Sequence, residues 1–418
     1  MKVVYLNPTG QPGGAERVLL DMMASLLAAD SHFFPHLIAA SDGPLVAEAR
    51  KLGVTVTILP FPPSLARLGD GGAGGPAGRQ IGPLAMLGRL TKAGGAAGLY
   101  LNQLRRTLKR LSPDLIHTNG FKMHLLGLWA RPRQTPVVWH IHDYISARPL
   151  MARVLPRFAN RCTAIIAVSD SVAADVRKLC RAPVHTIHNA VDLDRFSPSG
   201  EQLDLDTLAG MLPAPDGTVR VAMFATMARW KGHEIFLQAL AALPDELPIR
   251  AYIVGNALYQ TDGSQYSLLE LRRMAKDLGV SHKVGFTGFV ENVPAAMRAC
   301  DIIVHASTQP EPFGLVIIEA MACGKPVIVS NSGGAAELIE DGRTALVHSP
   351  CNAGELAQRI NELAANSSLR SQLTADCRAL VERRFNRNRL AAELLPIYRN
   401  ATDKPTKSAF QSVSYSQR

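Results

Sequence analysis

The sequence predicts an α/β protein made of two Rossmann-like, doubly wound parallel-sheet domains in succession. Three observations carry that prediction. The chain has 418 residues, more than one ordinary hydrophobic core accommodates, so two domains are expected. Short apolar, β-branched runs alternate with helix-length segments from end to end, the pattern of parallel strands covered on both faces. The alternation is interrupted once, near the middle, by a stretch rich in Pro, Gly and acidic residues.

Taken in order, the first half offers KVVYLN, HLIAA, VTVTIL, DLIHT, PVVWHIH, AIIAVS and VHTIHNAV as strands. The segment GGAERVLLDMMASLLAA, after the first of them, has helical length and pattern. The second half offers VRVAMFA, RAYIVG, KVGFTG, DIIVHAS, KPVIVS and TALVHS. These place an N-terminal domain at 1–195, a linker at 196–218 (FSPSGEQLDLDTLAGMLPAPDGT) and a C-terminal domain at 219–385. A C-terminal helix over 386–400 is expected to cross back to the first domain, followed by a Ser/Thr/Lys-rich, disordered tail at 401–418. Within the first half, GDGGAGGPAG (Gly69 to Gly78) is of low complexity and reads as a mobile loop. In LYLNQLRRTLKRL beyond it, Leu101, Leu104, Leu108 and Leu111 share a helix face, with Arg105, Arg106, Lys109 and Arg110 largely off it. The leucines read as a packing face. The same pattern suits a helix lying on a membrane surface.

Composition narrows the class. Apolar residues are 47% and charged residues 19%, ordinary for a soluble globular protein. No run reaches the roughly 18 apolar residues of a membrane span, and MKVVYLNPTG reads as a first strand rather than a signal core. The six cysteines show neither CxxC nor metal spacing, so reduced thiols and a cytoplasmic location are expected. Through Phe196 there are 23 Lys/Arg against 12 Asp/Glu, or +11; the remaining 22 against 23 give −1. A basic first half suits phosphorylated or anionic-membrane partners, or is simply a solvated surface. No nucleic-acid recognition motif accompanies it.

The chemistry concentrates in EPFGLVIIEA, where Glu311 and Glu319 are separated mainly by apolar residues. A carboxylate in apolar surroundings is costly unless paired. With DIIVHAS as a strand, TQPEPFG is the loop at its carboxyl end, where open sheets bind ligands. Gly314 to Cys323 then reads as a helix, capped by Gly324, with Glu319 about one and a half turns in. The amides of Phe313, Gly314 and Leu315 are free to meet an anion at its N-terminus. Taken alone, Glu319 reads equally as a solvent-facing or surface-paired carboxylate. A ligand with phosphates and hydroxyls would satisfy all these groups together.

EPFGLVIIE resembles the E-x7-E signature of retaining glycosyltransferases of family 4, which have the GT-B fold. GGAER, HD at His142-Asp143, AVSDSVAADV, IHNAVDLDRFSP, WKGHEIFLQAL and SGGAAELIEDGRTALV resemble that family in its order, from Met1 to about Arg399. The resemblance implies a nucleotide-sugar donor held mainly by the second domain. It implies Glu319 on the ribose hydroxyls, Glu311 by the sugar hydroxyls and Lys231 neutralising the diphosphate. The family usually carries an Arg five residues before that Lys; here the position is Thr226, and Arg229, two residues before, is the candidate second cation. Gly13 and Gly14 would let the backbone approach the diphosphate from the first domain. A His close to the transferred sugar is implied at His142. Strand alternation puts His140 on the same side, so periodicity does not choose between them. His117 and Asn119 are weaker candidates for the acceptor side. Ser332, Gly333 and Gly334 begin another helix with Glu337 near its start, which reads as a cap or as part of the cleft. No metal and no cofactor are expected beyond the nucleotide sugar as co-substrate.

These implications define a retaining transferase acting on a hydroxyl of a glycan or lipid-linked acceptor, in cell-envelope or extracellular polysaccharide synthesis. Its place would be the cytoplasm, peripheral on the inner face of the membrane. The alternatives are a GT-B protein that binds nucleotide sugars without transfer, which Thr226 makes thinkable, and a nucleotide-sugar epimerase, against which the order of motifs argues.

Overall fold

The structure is a computed structural model that describes residues 1–66, 83–257 and 264–403. The Gly69–Gly78 stretch and residues 404–418 of the expected tail lie outside the described residues. Two parallel sheets organise the chain. The N-terminal sheet contains β1 (Lys2–Asn7), β2 (Phe34–Ala39), β3 (Thr55–Ile58), β4 (Leu115–Asn119), β5 (Val137–Ile141), β6 (Ala164–Ala167) and β7 (Val184–Thr186). The C-terminal sheet contains β8 (Val219–Phe224), β9 (Ile249–Val254), β10 (Val284–Gly288), β11 (Ile302–His305), β12 (Val327–Ser330) and β13 (Leu346–His348). Every strand read from the sequence is present; the inner strands are buried on both faces and so apolar along their length, while the edge strands β3 and β7 are only partly covered.

The strand orders are β3-β2-β1-β4-β5-β6-β7 and β10-β9-β8-β11-β12-β13. Each sheet therefore reverses its winding once, between β1 and β4 and between β8 and β11. Loops diverge at such a reversal and leave a crevice beyond the strands' carboxyl ends. The residues that follow β1, β4, β8 and β11 build the site described below.

Helices cover both faces. The helix Gly14–Ala29 buries Val18, Leu19, Met22, Met23 and Leu26 against the N-terminal sheet. The helix Pro83–Leu111 buries Leu104 and Leu108, with Leu101 and Leu111 half-buried and Arg105, Arg106, Lys109 and Arg110 exposed. Its leucines pack as their spacing predicts.

The chain passes between the sheets twice, side by side: Val191 N–H donates to Phe385 O (2.8 Å) and Arg387 N–H to Val191 O (3.1 Å). The last helix, Leu390–Thr402, buries Leu390, Ala391, Leu394, Ile397 and Tyr398 in the core of the N-terminal sheet. The segment entering the C-terminal sheet carries the short helix Leu205–Ala209. Its buried Asp206 accepts from Tyr252 Oη (2.7 Å), Arg250 Nη1 (3.3 Å) and the Ala214 amide (2.9 Å). No helix among the described residues is long and apolar enough to cross a membrane.

Candidate active site

On the C-terminal side, β11 ends at His305 and the following loop carries Glu311 into the crevice. One oxygen of Glu311, Oε2, gathers three partners: Lys231 Nζ at 2.6 Å, Ser307 Oγ at 2.8 Å and His305 Nε2 at 3.1 Å. Burial alone would raise the Glu311 carboxyl. The Lys231 ammonium and the His305 contact outweigh it and hold the group well below the usual carboxylate range. The question raised by a carboxylate among apolar residues thus has a local answer: a buried ion pair supported by hydrogen bonds.

Local backbone geometry explains why Lys231 reaches this place. It sits on the 3-10 turn Arg229–Lys231 after β8, and Gly232 ends that turn at φ 83°. A Cβ on Gly232 would lie 1.8 Å from the carbonyl oxygen of Ala306. Only glycine permits that approach, and the approach sets Lys231 beside Ser307 and Glu311. The ammonium also lies 4.0 Å from the centre of the Trp230 ring. Arg229 is not brought to this cluster. Its guanidinium pairs with Glu270 (2.8 Å) and lies over Tyr266 (4.3 Å), so the expected second cation beside Lys231 is directed elsewhere in this conformation.

The helix after the loop is Leu315–Ala322, with Gly314 as its N-cap at φ 95°. Gly314 and Leu315 form the helix start as the sequence predicts, facing the first domain. Phe313 itself is buried between the domains, 6.0 Å from the His188 ring and 6.2 Å from Phe385, so only its backbone is placed for a ligand. Glu319 is buried on this helix and accepts from Arg17 Nη1 at 2.6 Å.

Arg17 belongs to the opposite domain, in the first turn of the helix Gly14–Ala29. A cavity of about 320 Å³ adjoins this pair, lined by Asp21, Asp192, Arg195 and Arg387 among others. Burial, with Asp192 and Glu319 nearby, pushes Asp21 up to about 7 against the opposing pull of Arg387 and Arg17.

Two further contacts fasten the domains. Tyr144 Oη bonds with Ser171 Oγ (2.9 Å) and reaches the carbonyl of Glu311 (3.3 Å). Glu337 accepts the Asp170 and Ser171 amides (2.8 and 2.7 Å), which open the helix Asp170–Leu179, and meets His188 Nε2 at 3.1 Å. The carboxylate read as a cap thus caps a helix of the other domain. Gly333 and Gly334 press on the Glu311 loop: a Cβ on Gly333 would lie 2.5 Å from Tyr144 Oη. Among the described residues, Asp170, His188 and Glu337 are the one trio whose ligand atoms cluster within 4.8 Å, and the Glu337 oxygens there already accept backbone amides.

On the N-terminal side, Gly13 and Gly14 follow β1 and open the helix toward the C-terminal domain, where a Cβ on Gly14 would meet Leu315 Cδ1 at 3.5 Å. His142 follows β5, and its ring centre lies 4.0 Å from that of His140. Both line a cavity of about 170 Å³ together with Glu16, Asn119, Phe121 and Asp143. His142 is the half-exposed member of the pair and His140 the buried one. Burial lowers His142 to about 3, so the imidazole is neutral at pH 7.

Asn119 donates to Asn7 Oδ1 (2.8 Å), and Asn7 donates to Glu16 Oε1 (3.2 Å). The acceptor-side expectation for His117 is corrected. Its Nδ1 lies 2.9 Å from Tyr398 Oη, and its ring packs 5.1 Å from Tyr5, in the core under the last helix. His117 shares its strand face with Asn119 but lies two residues further from the strand end, where the last helix covers it.

Arg17, Glu16, Tyr144, His305 and Ser307 were missed by sequence reasoning. His305 and Ser307 had a usable signal: two polar residues spaced by two at the carboxyl end of an apolar strand share one face. Arg17 and Glu16 stood inside GGAER, behind the more conspicuous glycines.

Comparison with known proteins adds to this geometry. Residues 209–379 match the family described as glycosyl transferases group 1, and residues 12–195 match glycosyltransferase family 4. A D-inositol 3-phosphate glycosyltransferase of Streptomyces bingchenggensis is 31% identical over 69% of this chain and 67% of its own. Spore coat protein SA of Bacillus subtilis is 29% identical over 72% of this chain and 81% of its own. Among solved structures, Anabaena HepE in complex with UDP and glucose superposes with a TM-score of 0.75 at 27% identity, covering 95% of this chain and 98% of that one. On these matches of sequence and fold, the chain belongs to glycosyltransferase family 4 and has the GT-B fold.

Proposed function

We propose that the protein is a retaining, metal-independent hexosyltransferase that moves a sugar from a UDP-linked donor to a hydroxyl of a carbohydrate or lipid-linked acceptor. The observation that carries this reading is the Lys231–Glu311 pair at the β8/β11 reversal, opposite Gly13 and Gly14 at the β1/β4 reversal and His142 after the neighbouring β5. HepE was solved with UDP-glucose as well as with UDP and glucose, which favours a uracil nucleotide and a hexose.

In the proposed reaction, the bond from the anomeric carbon to the diphosphate breaks and its electron pair leaves with the diphosphate. Lys231 and the amides of Gly314 and Leu315 stabilise that charge as it develops. The acceptor oxygen attacks the same face, and its proton passes to the departing phosphate oxygen. Glu311 does not act as nucleophile: Oε2 is occupied by three partners, and its part is to hold Lys231 and accept from sugar hydroxyls. Glu319, presented on its helix, takes the ribose hydroxyls in exchange for its contact with Arg17. Domain closure excludes water from the activated donor.

Release of UDP from UDP-glucose, followed by NMR assignment of the product's anomeric configuration, tests the reading. Retention supports it, and inversion removes it. A second reading has its own observation: Arg229 is turned to Glu270 and Thr226 stands where the family has Arg, which suits a protein that binds nucleotide sugars without transferring them. UDP-glucose binding without UDP release in the presence of acceptors would select that reading.

The proposed working place is the inner face of an anionic membrane, as envelope or extracellular polysaccharide synthesis requires. Arg105, Arg106, Lys109 and Arg110 are exposed on one helix, and Leu99 and Leu150 are 71% and 66% exposed. Flotation with anionic but not neutral vesicles is the expected result.

A further inference from the structure

The cavity beside His142 shows which kind of acceptor group can enter it. It opens where the chain leaves β1, β4 and β5, and at about 170 Å³ it is smaller than the roughly 300–1,000 Å³ of pockets for drug-sized ligands. One ring-sized group fits. Its polar lining is unusual in sign: Glu16 and Asp143 supply carboxylates, while the one permanent cation among the lining residues, Arg148, is committed to Asp143 through Nε (3.0 Å) and Nη2 (2.7 Å). The lining histidines, His124, His140 and His142, are all held neutral by burial.

Several of these groups lack partners. Both ring nitrogens of His140, which is 2% exposed, have none, nor do His142 Nε2 and Asn119 Oδ1. Buried polar atoms without partners are uncommon and call for a ligand or water to satisfy them. The unprotonated nitrogen of a neutral imidazole, an amide oxygen and carboxylates accept hydrogen bonds from hydroxyls, and the imidazole N–H donates to a hydroxyl oxygen. A phosphate finds the opposite environment: no uncommitted cation among the lining residues, and carboxylate repulsion.

Resting on the transferase reading above, we propose that this cavity is the acceptor subsite and that it takes an uncharged polyhydroxylated ring, the terminal neutral sugar of the acceptor, with Glu16 receiving one of its hydroxyls. Any phosphate of the acceptor lies outside the cavity. This sets the chain apart from relatives named for an inositol phosphate acceptor. Glu16 suits the role by position. It stands in the first turn of the helix that Gly13 and Gly14 open, and its Oε1 is held by Asn7, which fixes the carboxylate at the cavity wall.

The test uses the full chain, UDP-glucose, and matched acceptor probes: methyl glucosides and cellobiose against glucose 6-phosphate, and myo-inositol against myo-inositol 1-phosphate. UDP release is followed, with UDP binding by thermal shift as control. The expected result is stimulation by the uncharged member of a pair. Glu16→Gln should raise the acceptor KM by about tenfold or more while leaving the UDP thermal shift unchanged. Preference for a phosphorylated member, stimulation by neither class while UDP-glucose still binds, or an unchanged acceptor KM in Glu16→Gln would overturn the proposal. If UDP-glucose does not bind at all, the transferase reading itself fails, and the thermal shift separates that outcome from failure of the subsite.

Discussion

The two sheets turn their reversal points to one crevice, yet the two edges are built from opposite chemistry. The C-terminal edge is charged and paired: Glu311 is buried but holds Lys231 at 2.6 Å, with His305 and Ser307 completing the same oxygen. The N-terminal edge is built around neutral imidazoles: burial lowers His124, His140 and His142, each with a ring nitrogen left without a partner, with His117 in the core behind them, while Glu16 and Asp143 supply carboxylates and Arg148 is paired with Asp143. An edge that must stabilise a departing diphosphate needs a fixed positive charge whose desolvation has already been offset. The uncharged acceptor proposed for the other edge needs hydrogen-bond acceptors and no uncommitted cation. The difference teaches that the division of labour between the domains is electrostatic as well as positional.

Breaking the charged edge should give the largest effect. Lys231→Ala leaves a buried carboxylate without its cation, so a stability loss of about 3–5 kcal/mol in denaturant unfolding is expected. UDP release should fall by about a hundredfold or more. A loss of activity without a loss of stability would show that the pair is not what holds Glu311.

Next come the fastenings between the edges. Glu337→Ala removes a carboxylate that caps two amides of the opposite domain and meets His188. About 1–3 kcal/mol of stability should be lost, with faster hydrogen exchange at the start of the helix Asp170–Leu179.

The neutral edge is tested by acid. The histidines' folded pKa values lie below the ordinary value of about 6.5. Their contribution to stability is therefore present above that value and is lost as pH falls below it, when the unfolded chain takes up the protons. The melting temperature should fall between pH 7.5 and 5.5, and His142→Gln should make that fall shallower.

Asp21 gives a smaller effect of the opposite sign. Its folded pKa is raised to about 7, so its contribution is full below the ordinary carboxylate value of about 3.9 and is lost as pH rises through 7. The advantage of Asp21→Asn over the parent should grow from pH 5 to pH 8.

Both sheets were legible in the sequence because parallel strands buried on two faces leave continuous apolar runs such as DIIVHAS and KPVIVS. The E-x7-E spacing and the strand-end position of His142 were legible for a related reason: each depends on local geometry a few residues long. What was not legible depends on docking two domains. The Arg17–Glu319 pair joins residues 302 apart, and Glu337 caps a helix 167 residues earlier. No periodicity encodes such a partner. Arg229 shows the converse: proximity in sequence to Lys231 suggested a shared task, but Glu270 and Tyr266 draw the guanidinium away. His117 failed for a packing reason, since the last helix brings Tyr398 over it.

The proposed seat of the nucleotide-sugar donor is built by Glu311, Glu319 and Lys231. Isothermal titration of UDP-glucose into the parent protein and into Glu319→Gln tests it most directly. Binding to the parent, weakened by about tenfold or more in the variant, is the expected result. No binding to the parent, or equal binding to both, would contradict it.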